Sequence, residues 1–173
     1  MSDTSATGPG GAAQAGAAPL RFRGQYVRDM SFEVPHAPEI FTELRQSAPD
    51  IPITIEPSVR HLSANLYEVT VTASVEAKSG SRVAFILEVA YSGVVELDEK
   101  QIPQEHIHPV LMIEVPRYLF PFVRQLVSDA TVGGGFPPLM LQMVDFADLY
   151  RRQFGDTPQR VAPATAEASA TKH

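Results

Sequence analysis

Apolar and polar residues alternate along the first hundred residues of the chain, and this period of two predicts β-strands with one buried face. In the stretch 22–33, one face would carry Phe22, Gly24, Tyr26, Arg28, Met30 and Phe32. The other face would carry Arg23, Gln25, Val27, Asp29, Ser31 and Glu33. The first set is mostly apolar and the second mostly polar, so the stretch is predicted to be a half-buried strand.

Three further strands are predicted after a loop over 35–50, which contains one helical turn around 39–44. Residues 51–61 form a strand that Pro52 and Pro57 mark as an edge or a bend. The stretches 65–78 and 82–94 alternate strictly and are joined by the turn sequence KSGS. We therefore expect four antiparallel strands arranged as a meander.

Helical spacing of apolar residues replaces alternation in the second half of the chain. It extends over 104–131, where Pro109, Pro116 and Pro121 interrupt it. A proline inside an established helix kinks it, which is expected at Pro121, and the helix is predicted over 117–131. The glycines and prolines of 133–138 end this helix, and a short helix follows over 145–154 with Asp145 as its N-cap. The predicted class is α+β, with a four-stranded antiparallel sheet followed by a long helix and a short C-terminal helix.

Composition divides the chain into one folded unit and two tails. Residues 1–20 and 155–173 are dominated by small residues and proline, offer almost nothing to bury, and are expected to be disordered. The folded unit then spans 21–154, a length that suits a single domain. An apolar fraction of 44% is sufficient for a core in this unit.

The folded unit is strongly acidic. Residues 24–150 contain 17 Asp and Glu against 8 Lys and Arg, a net charge of −9, whereas the whole chain carries −6. This balance argues against nucleic acid as a partner, because binding to phosphates needs clustered basic residues. It is compatible with attraction of basic or unfolded polypeptides, and also with solubility alone.

Signatures of catalysis and metal binding are weak. The absence of cysteine removes disulfides and thiolate chemistry. The GGG at 133–135 lacks the other parts of a phosphate-binding loop, so it is interpreted as a helix stop. His106 and His108, beside Glu105, point apart on a helix, and His36 and His61 have no ligand spacing. We expect no enzymatic activity, metal or cofactor.

Membrane and secretion signals are also missing from the sequence. No run of about 18 apolar residues occurs, and the N-terminal residues lack the basic start and apolar centre of a signal peptide. A cytosolic protein without direct membrane insertion is therefore expected.

Four segments resemble the protein-export chaperone family SecB, in the same order along the chain. YVRDMSFEVPHAP (26–38) is similar to the family's first strand and proline corner. YEVTVTASVEA (67–77) and VAFILEVAYSGVVEL (83–97) resemble its third and fourth strands. Residues 117–150 resemble its long helix, hinge and terminal helix, so that the resemblance covers residues 22–153.

The resemblance implies a homotetramer, a dimer of dimers, in which the long helices lie between two eight-stranded sheets. It implies a cytosolic holdase without enzymatic activity, which keeps unfolded precursor proteins translocation-competent and delivers them to the SecA motor ATPase. The apolar segment 117–150 also exceeds what one sheet face can bury, which favours a second subunit. Two rival functions stay open: an enzyme, and a SecB-like chaperone dedicated to a toxin–antitoxin system.

An acidic patch is predicted on the polar face of the sheet. Parity places Asp29 and Glu33 on one side of the first strand, and Ile86 and Glu88 on one side of the fourth. If these strands are adjacent, the carboxylates surround Ile86, although an ordinary solvated sheet face has the same pattern. The resemblance implies that this patch docks the short, basic, zinc-bearing tail of SecA.

The resemblance also implies a client groove and a set of subunit contacts. The groove residues would be Phe41, Leu44, Phe136, Leu139, Leu141, Phe146, Leu149 and Tyr150. The subunit contacts would be Leu87, Val89, Tyr91, Leu119, Val123 and Leu126. For each residue in both sets, packing within a single subunit is at least as good an interpretation.

Overall fold

Residues 18–155 are described by a computed structural model, and they form the predicted α+β arrangement. The strands are β1 (Leu20–Glu33), β2 (Ile53–Ser63), β3 (Leu66–Ser79) and β4 (Arg82–Leu97). The helices are α1 (Ile40–Glu43), α2 (Gln104–Pro109), α3 (Val115–Gly133) and α4 (Phe146–Phe154), and a π-helical turn (Val110–Glu114) joins α2 to α3. The predicted tails lie outside the described residues except for positions 18–20 and 155.

The sheet has the strand order β1-β4-β3-β2, and every neighbouring pair is antiparallel. Strands β2, β3 and β4 form the expected meander through two tight turns, one of which contains Gly80 at φ +59°. The meander prediction is wrong for β1, which lies beside β4. The connection over residues 34–52 carries the chain from β1 to the opposite edge, and alternation within a strand contains no information about its neighbour.

Two bulges in β1 change which side chains share a face. The register shifts between Phe22 and Gly24 and again between Val27 and Asp29, so the strand gains one extra residue at each place. Tyr26 therefore lies opposite Ser92 on the polar face, although strict alternation placed it with Phe22. The second bulge restores the predicted parity from Asp29 onward.

The same shift moves Gln25 and Val27 to the apolar face, where they lie opposite Gly93 and Tyr91. The predicted faces are therefore wrong for Gly24 to Val27 and correct for Phe22 and for 29–33. A bulge adds a residue without demanding a particular residue type, so alternation could not reveal it.

The helices cover only one face of the sheet, here called the covered face, and α3 packs on β3 and β4. The covered face carries Tyr67, Val69, Val71, Ala73 and Val75 of β3 and Leu87, Val89 and Val95 of β4, all buried. The opposite side, here called the outer face, carries Glu68, Thr70, Thr72, Ser74 and Glu76 of β3. Gly93 allows a close approach of helix and sheet, since a Cβ there would lie 2.9 Å from the Leu119 side chain and 3.0 Å from Phe22.

The helical path from 104 to 133 accommodates all three prolines. Pro109 is the last residue of α2, Pro116 lies in the first turn of α3, and Pro121 lies inside α3. The π-helical turn directly precedes Pro116, whose missing N–H leaves a helical carbonyl without its usual partner. The helix predicted over 117–131 lies within α3 and is confirmed.

The three glycines at the end of α3 form a helix stop, as interpreted from the sequence. Phe136 N–H donates to Thr131 C=O at 2.9 Å and Gly135 N–H donates to Val132 C=O at 3.0 Å, which is the Schellman pattern. Gly135 has φ +85°, the left-handed conformation that this motif requires. Gly134 has an ordinary φ of −79°, but a Cβ there would lie 2.1 Å from the Phe32 ring.

Candidate binding surfaces

The predicted acidic patch is brought together at the border of β1 and β4 on the outer face. Ser31 lies opposite Glu88 and Glu33 opposite Ile86, while Asp29 lies opposite Ala90. Ile86 is 38% exposed, and none of the carboxylates of Asp29, Glu33 and Glu88 forms an ion pair within residues 18–155. Such a surface of uncompensated negative charge around an exposed isoleucine is suited to binding a basic segment with an apolar side chain.

A fifth residue extends this patch from the other side of β4. Glu76 of β3 lies opposite Ile86, and its carboxylate is 3.1 Å from Lys78 Nζ. It was not among the predicted site residues, although the predicted hairpin had already placed β3 beside β4. The acidic patch is hereafter defined as Asp29, Glu33, Glu76, Ile86 and Glu88.

A buried ion cluster lies on the same outer face and was not predicted. Glu68 is 2% exposed, and its carboxylate accepts hydrogen bonds from Tyr26 Oη, from Arg28 Nη1 at 2.6 Å, and from Arg60 Nε and Nη2 at 2.9 and 2.7 Å. Burial alone would raise the pKa of Glu68, but the hydrogen bonds from Tyr26, Arg60 and Arg28 hold it below its usual value. In turn, the hydrogen bond to Glu68 raises the pKa of Tyr26.

One part of this cluster was open to prediction. Arg60 and Glu68 are equally distant from residue 64, so a tight hairpin at that position places them opposite each other, as the register shows. Arg28 could not be found in this way because a β1 bulge separates it from the alternation pattern. We call the exposed guanidinium groups of Arg28 and Arg60 the arginine end of the outer face.

A hollow of about 390 Å³ joins the acidic patch to the arginine end. Its floor contains the small side chains of Thr70, Thr72 and Ala90. Thr70 Oγ1 and Ser92 Oγ are 2.7 Å apart, so these two hydroxyl groups satisfy each other in the floor. Charged side chains line its walls: Arg28, Asp29, Arg60, Glu68 and Glu88.

The predicted groove region contains a cluster of phenylalanines. Phe136 contacts Phe41 at a ring-centroid distance of 5.1 Å and Phe85 at 4.8 Å. Phe32 stacks on Phe85 at 5.5 Å and meets Phe136 edge-on at 6.1 Å. The loop after β1 and the segment after α3 are therefore joined through aromatic rings, as their assignment to one groove requires.

Burial separates the predicted groove residues into two sets. Phe136, Leu141, Phe146 and Tyr150 are buried in this chain, which is the core alternative that the sequence left open. Phe41, Leu44, Leu139 and Leu149 are half-buried and border the core. A groove role stays a prediction for all eight, and only the second set has appreciable surface available in the single chain.

Helix α4 is held in place by one cap and one buried polar contact. Asp145 Oδ1 accepts from the N–H groups of Ala147 and Asp148, both at 3.0 Å, so the predicted cap is confirmed. Tyr150 Oη lies 2.9 Å from His108 Nδ1 of α2, and burial lowers the pKa of His108. Phe146 packs edge-on against Phe120 of α3 at 5.8 Å.

Two exposed methionines beside α3 were not among the predicted site residues. Met143 is 78% exposed and Met140 53% exposed, and both border a hollow of about 250 Å³ against α3. Arg124 lines the same hollow, and its buried Nε has no hydrogen-bond partner within the described residues. Methionine side chains adapt easily to different ligands, so this hollow is a further candidate surface for polypeptide contact.

The predicted subunit contacts are mostly inside the chain. Leu87, Val89, Leu119 and Val123 are fully buried in a single subunit, whereas Tyr91 and Leu126 are half-buried. Four exposed apolar side chains lie close to them, on a part of β1 that no helix reaches and on α3. They are Val27, Met30, Tyr118 and Phe122, which we call the apolar strip. Alternation missed Val27 because the first bulge moves it to the covered face.

No helix within residues 18–155 is both long and apolar enough to span a membrane. The same residues contain no group of three or more His, Asp or Glu side chains placed to hold a metal ion. What the described part of the chain does present is a charged sheet face and an aromatic, methionine-bordered surface, and both are suited to contacts with polypeptides.

An α+β fold with one uncovered, charged sheet face and an aromatic, methionine-bordered surface defines the class of protein, and comparison with known proteins specifies the family. Residues 13–157 match the model of the preprotein translocase subunit SecB. The chain is 43% identical over 169 residues to the protein-export protein SecB of Rhodospirillum rubrum, covering 98% of this chain and all of that protein. It is 48% identical over 132 residues to the corresponding protein of Paramagnetospirillum magneticum, covering 76% and 83%.

A solved structure has the same fold. It is a SecB-like chaperone of Mycobacterium tuberculosis in complex with a peptide from an antitoxin, with a TM-score of 0.61 and 17% identity over 74% of this chain and 92% of that one. The chain described here belongs to the SecB family of protein-export chaperones.

Proposed function

We propose that this protein is a cytosolic holdase that binds unfolded precursor polypeptides and delivers them to the SecA motor. The observation that carries the proposal is the outer face, where Glu33 and Glu88 lie beside the exposed Ile86 and Asp29 lies further along the same face, and none of the three carboxylates forms an ion pair within residues 18–155. A surface of this kind attracts a basic tail at long range and orients it at short range.

Client binding is proposed for the surface beside α4. The half-buried side chains of Phe41, Leu44, Leu139 and Leu149 would supply aromatic and aliphatic walls, and the exposed Met140 and Met143 would extend them. Phenylalanine carries a large contact area and methionine repacks readily, so such walls tolerate many client sequences. No bond making or breaking is needed for this activity.

A homotetramer is proposed on the basis of the apolar strip and the free edge of β1. Tyr118 is 61% exposed and Phe122 is 47% exposed, which is unusual for aromatic residues of a helix that packs on a sheet. β1 is an edge strand, so its outward N–H and C=O groups are available for pairing with a second copy. Tyr91 stacks on Phe122 at 5.3 Å and would lie at the border of this contact.

The docking proposal is tested by charge reversal. The double variant Asp29→Lys/Glu88→Lys should lose binding to a synthetic basic SecA tail in fluorescence anisotropy, while it still binds a permanently unfolded client. Glu105→Lys/Asp129→Lys, at two exposed carboxylates on α2 and α3, makes the same change in net charge away from the sheet; it is the matched control and should bind both. If the double variant binds the tail as tightly as the wild type does, the acidic patch is not the docking site.

A toxin–antitoxin role is the second candidate, and it rests on the fold shared with the M. tuberculosis chaperone at 17% identity. The identities of 43% and 48% to proteins named for export favour the general export function. Restoration of precursor export in a cell that lacks its own SecB would support the export function. Failure to restore it by a well-expressed, folded protein would favour the dedicated role.

A further inference from the structure

We propose that the outer face is bipolar, and that its arginine end binds a carboxylate of the same partner segment whose basic residues lie on the acidic patch. This inference rests on the docking function proposed above and specifies the chemistry of the docked segment. The partner is a polypeptide with a cluster of Lys or Arg and, some residues away, an Asp, a Glu or a C-terminal carboxylate.

The ion cluster around Glu68 is not electrically neutral. Two guanidinium groups surround one carboxylate, so the cluster carries one excess positive charge. Glu68 is 2% exposed, whereas the side chains of Arg28 and Arg60 are 46% and 56% exposed. The negative charge is therefore covered, and the positive charges face the solvent.

The contacts to Glu68 use only some of the N–H donors of Arg28 and Arg60. Arg28 uses Nη1, and Arg60 uses Nε and Nη2, to bind the same Glu68 oxygen. Within residues 18–155 neither guanidinium forms a further hydrogen bond, and each has five N–H donors. An incoming carboxylate can thus be bound without breaking the contacts to Glu68, by groups whose orientation Glu68 already restricts.

The acidic patch and the arginine end lie apart along β3. Glu88 lies opposite Ser74 and Arg60 lies opposite Glu68, so six residues of β3 separate the two positions. At roughly 3.3 Å per residue this separation is about 20 Å along the strand. A partner in extended conformation would place its carboxylate about six residues from its basic cluster.

A hollow connects the acidic patch to the arginine end. The hollow of about 390 Å³ runs from Glu88 to Arg60 over a floor of Thr70, Thr72 and Ala90. Short side chains along this path leave room for an extended chain. A uniformly acidic face would accept a basic segment in either direction, whereas opposite charges at the two ends select one direction.

The test uses fluorescence anisotropy with the full-length protein and three labelled peptides. The first peptide has a lysine cluster, a neutral spacer of about six residues and a terminal aspartate, spaced as the strand geometry requires. The second has asparagine and an amidated end in place of the carboxylates. The third has the aspartate directly beside the lysines.

The wild-type protein should bind the first peptide about three- to fivefold more tightly than the other two, as expected for one partly exposed ion pair. Arg60→Gln and Arg28→Gln should each reduce this preference. Glu68→Gln should increase it, because the arginines lose their internal negative charge. A purely structural role of the cluster predicts no peptide preference and no gain from Glu68→Gln.

Two outcomes separate this inference from the docking proposal. Glu88→Lys should weaken the binding of all three peptides, and if it does not, the docking proposal itself is wrong. If Glu88→Lys does weaken binding but the wild type binds the three peptides equally, only the bipolar inference is overturned. Arg117→Gln is the charge-matched control, and circular dichroism verifies that each variant is folded.

Discussion

Gly133 and Gly134 are adjacent in the chain, yet replacing them with alanine should have opposite effects. A Cβ at Gly134 would lie 2.1 Å from Cε1 and 2.4 Å from Cζ of Phe32, whereas a Cβ at Gly133 meets nothing within 4 Å. Both backbones can accept alanine, since neither glycine has a positive φ. The pair therefore isolates one steric contact from the general effect of a glycine-to-alanine change.

The expected cost of Gly134→Ala follows from what Phe32 contacts. Its ring must move away from its packing against Phe85 and Phe136. Overpacking costs about 1–3 kcal/mol, and a weakened aromatic pair adds about 0.5–1.5 kcal/mol. We expect a net loss of about 2–3 kcal/mol in the free energy of unfolding, compared with a gain of up to about 0.5 kcal/mol for Gly133→Ala at the helix end.

Denaturant unfolding at one fixed protein concentration measures both changes, because self-association would make the midpoint depend on concentration. A double-mutant cycle supplies the decisive control. In a Phe32→Ala background the obstructing ring is absent, so Gly134→Ala should cost little. Equal midpoints for Gly133→Ala and Gly134→Ala, or an undiminished cost in the Phe32→Ala background, would refute the reasoning.

Three further predictions concern the ion cluster, the cap of α4 and the apolar strip. The folded-state pKa of Glu68 is lowered, so its contribution to stability is present above the unfolded pKa of about 4.3 and is lost as the pH falls through the folded value. The stability measured by urea unfolding should therefore fall more for the wild type than for Glu68→Gln as the pH is lowered from about 5 to about 3; parallel curves would contradict this. Asp145→Ala should cost about 1 kcal/mol, whereas Asp145→Asn retains an acceptor and should cost less; equal unfolding midpoints for the two would contradict a capping role. Phe122→Glu should reduce the native mass in light scattering, whereas Gln125→Glu, also on α3, should not; an unchanged mass for Phe122→Glu would exclude the strip from the assembly contact.

Local pattern was sufficient for most of the elements and for two of the helix ends. Alternation identified β3 and β4, helical spacing identified the regular part of α3, and the cap at Asp145 and the stop at 133–135 followed from residue type. The cap and the stop depend on contacts between residues close in the chain. Their energies are therefore present in the sequence itself, before any tertiary contact forms.

Burial of individual site residues could not be predicted in the same way. Phe146 and Leu149 have the same helical spacing and similar apolarity, yet Phe146 is 1% exposed and Leu149 is only half-buried. The difference arises because Phe120 of α3 lies against Phe146. A helix position is apolar in either case, and only the neighbouring element determines whether it becomes core or surface.

The sequence by itself determined the α+β class, the secondary structure along most of the chain, and the family. It also determined the face on which Asp29, Glu33, Ile86 and Glu88 lie, because the second bulge restores the parity of β1 before Asp29. Only the tertiary structure placed β1 beside β4 and joined Tyr26 and Arg28 to Glu68. Strand order and bulges depend on pairing between residues far apart in the chain, and no period within one strand contains that information.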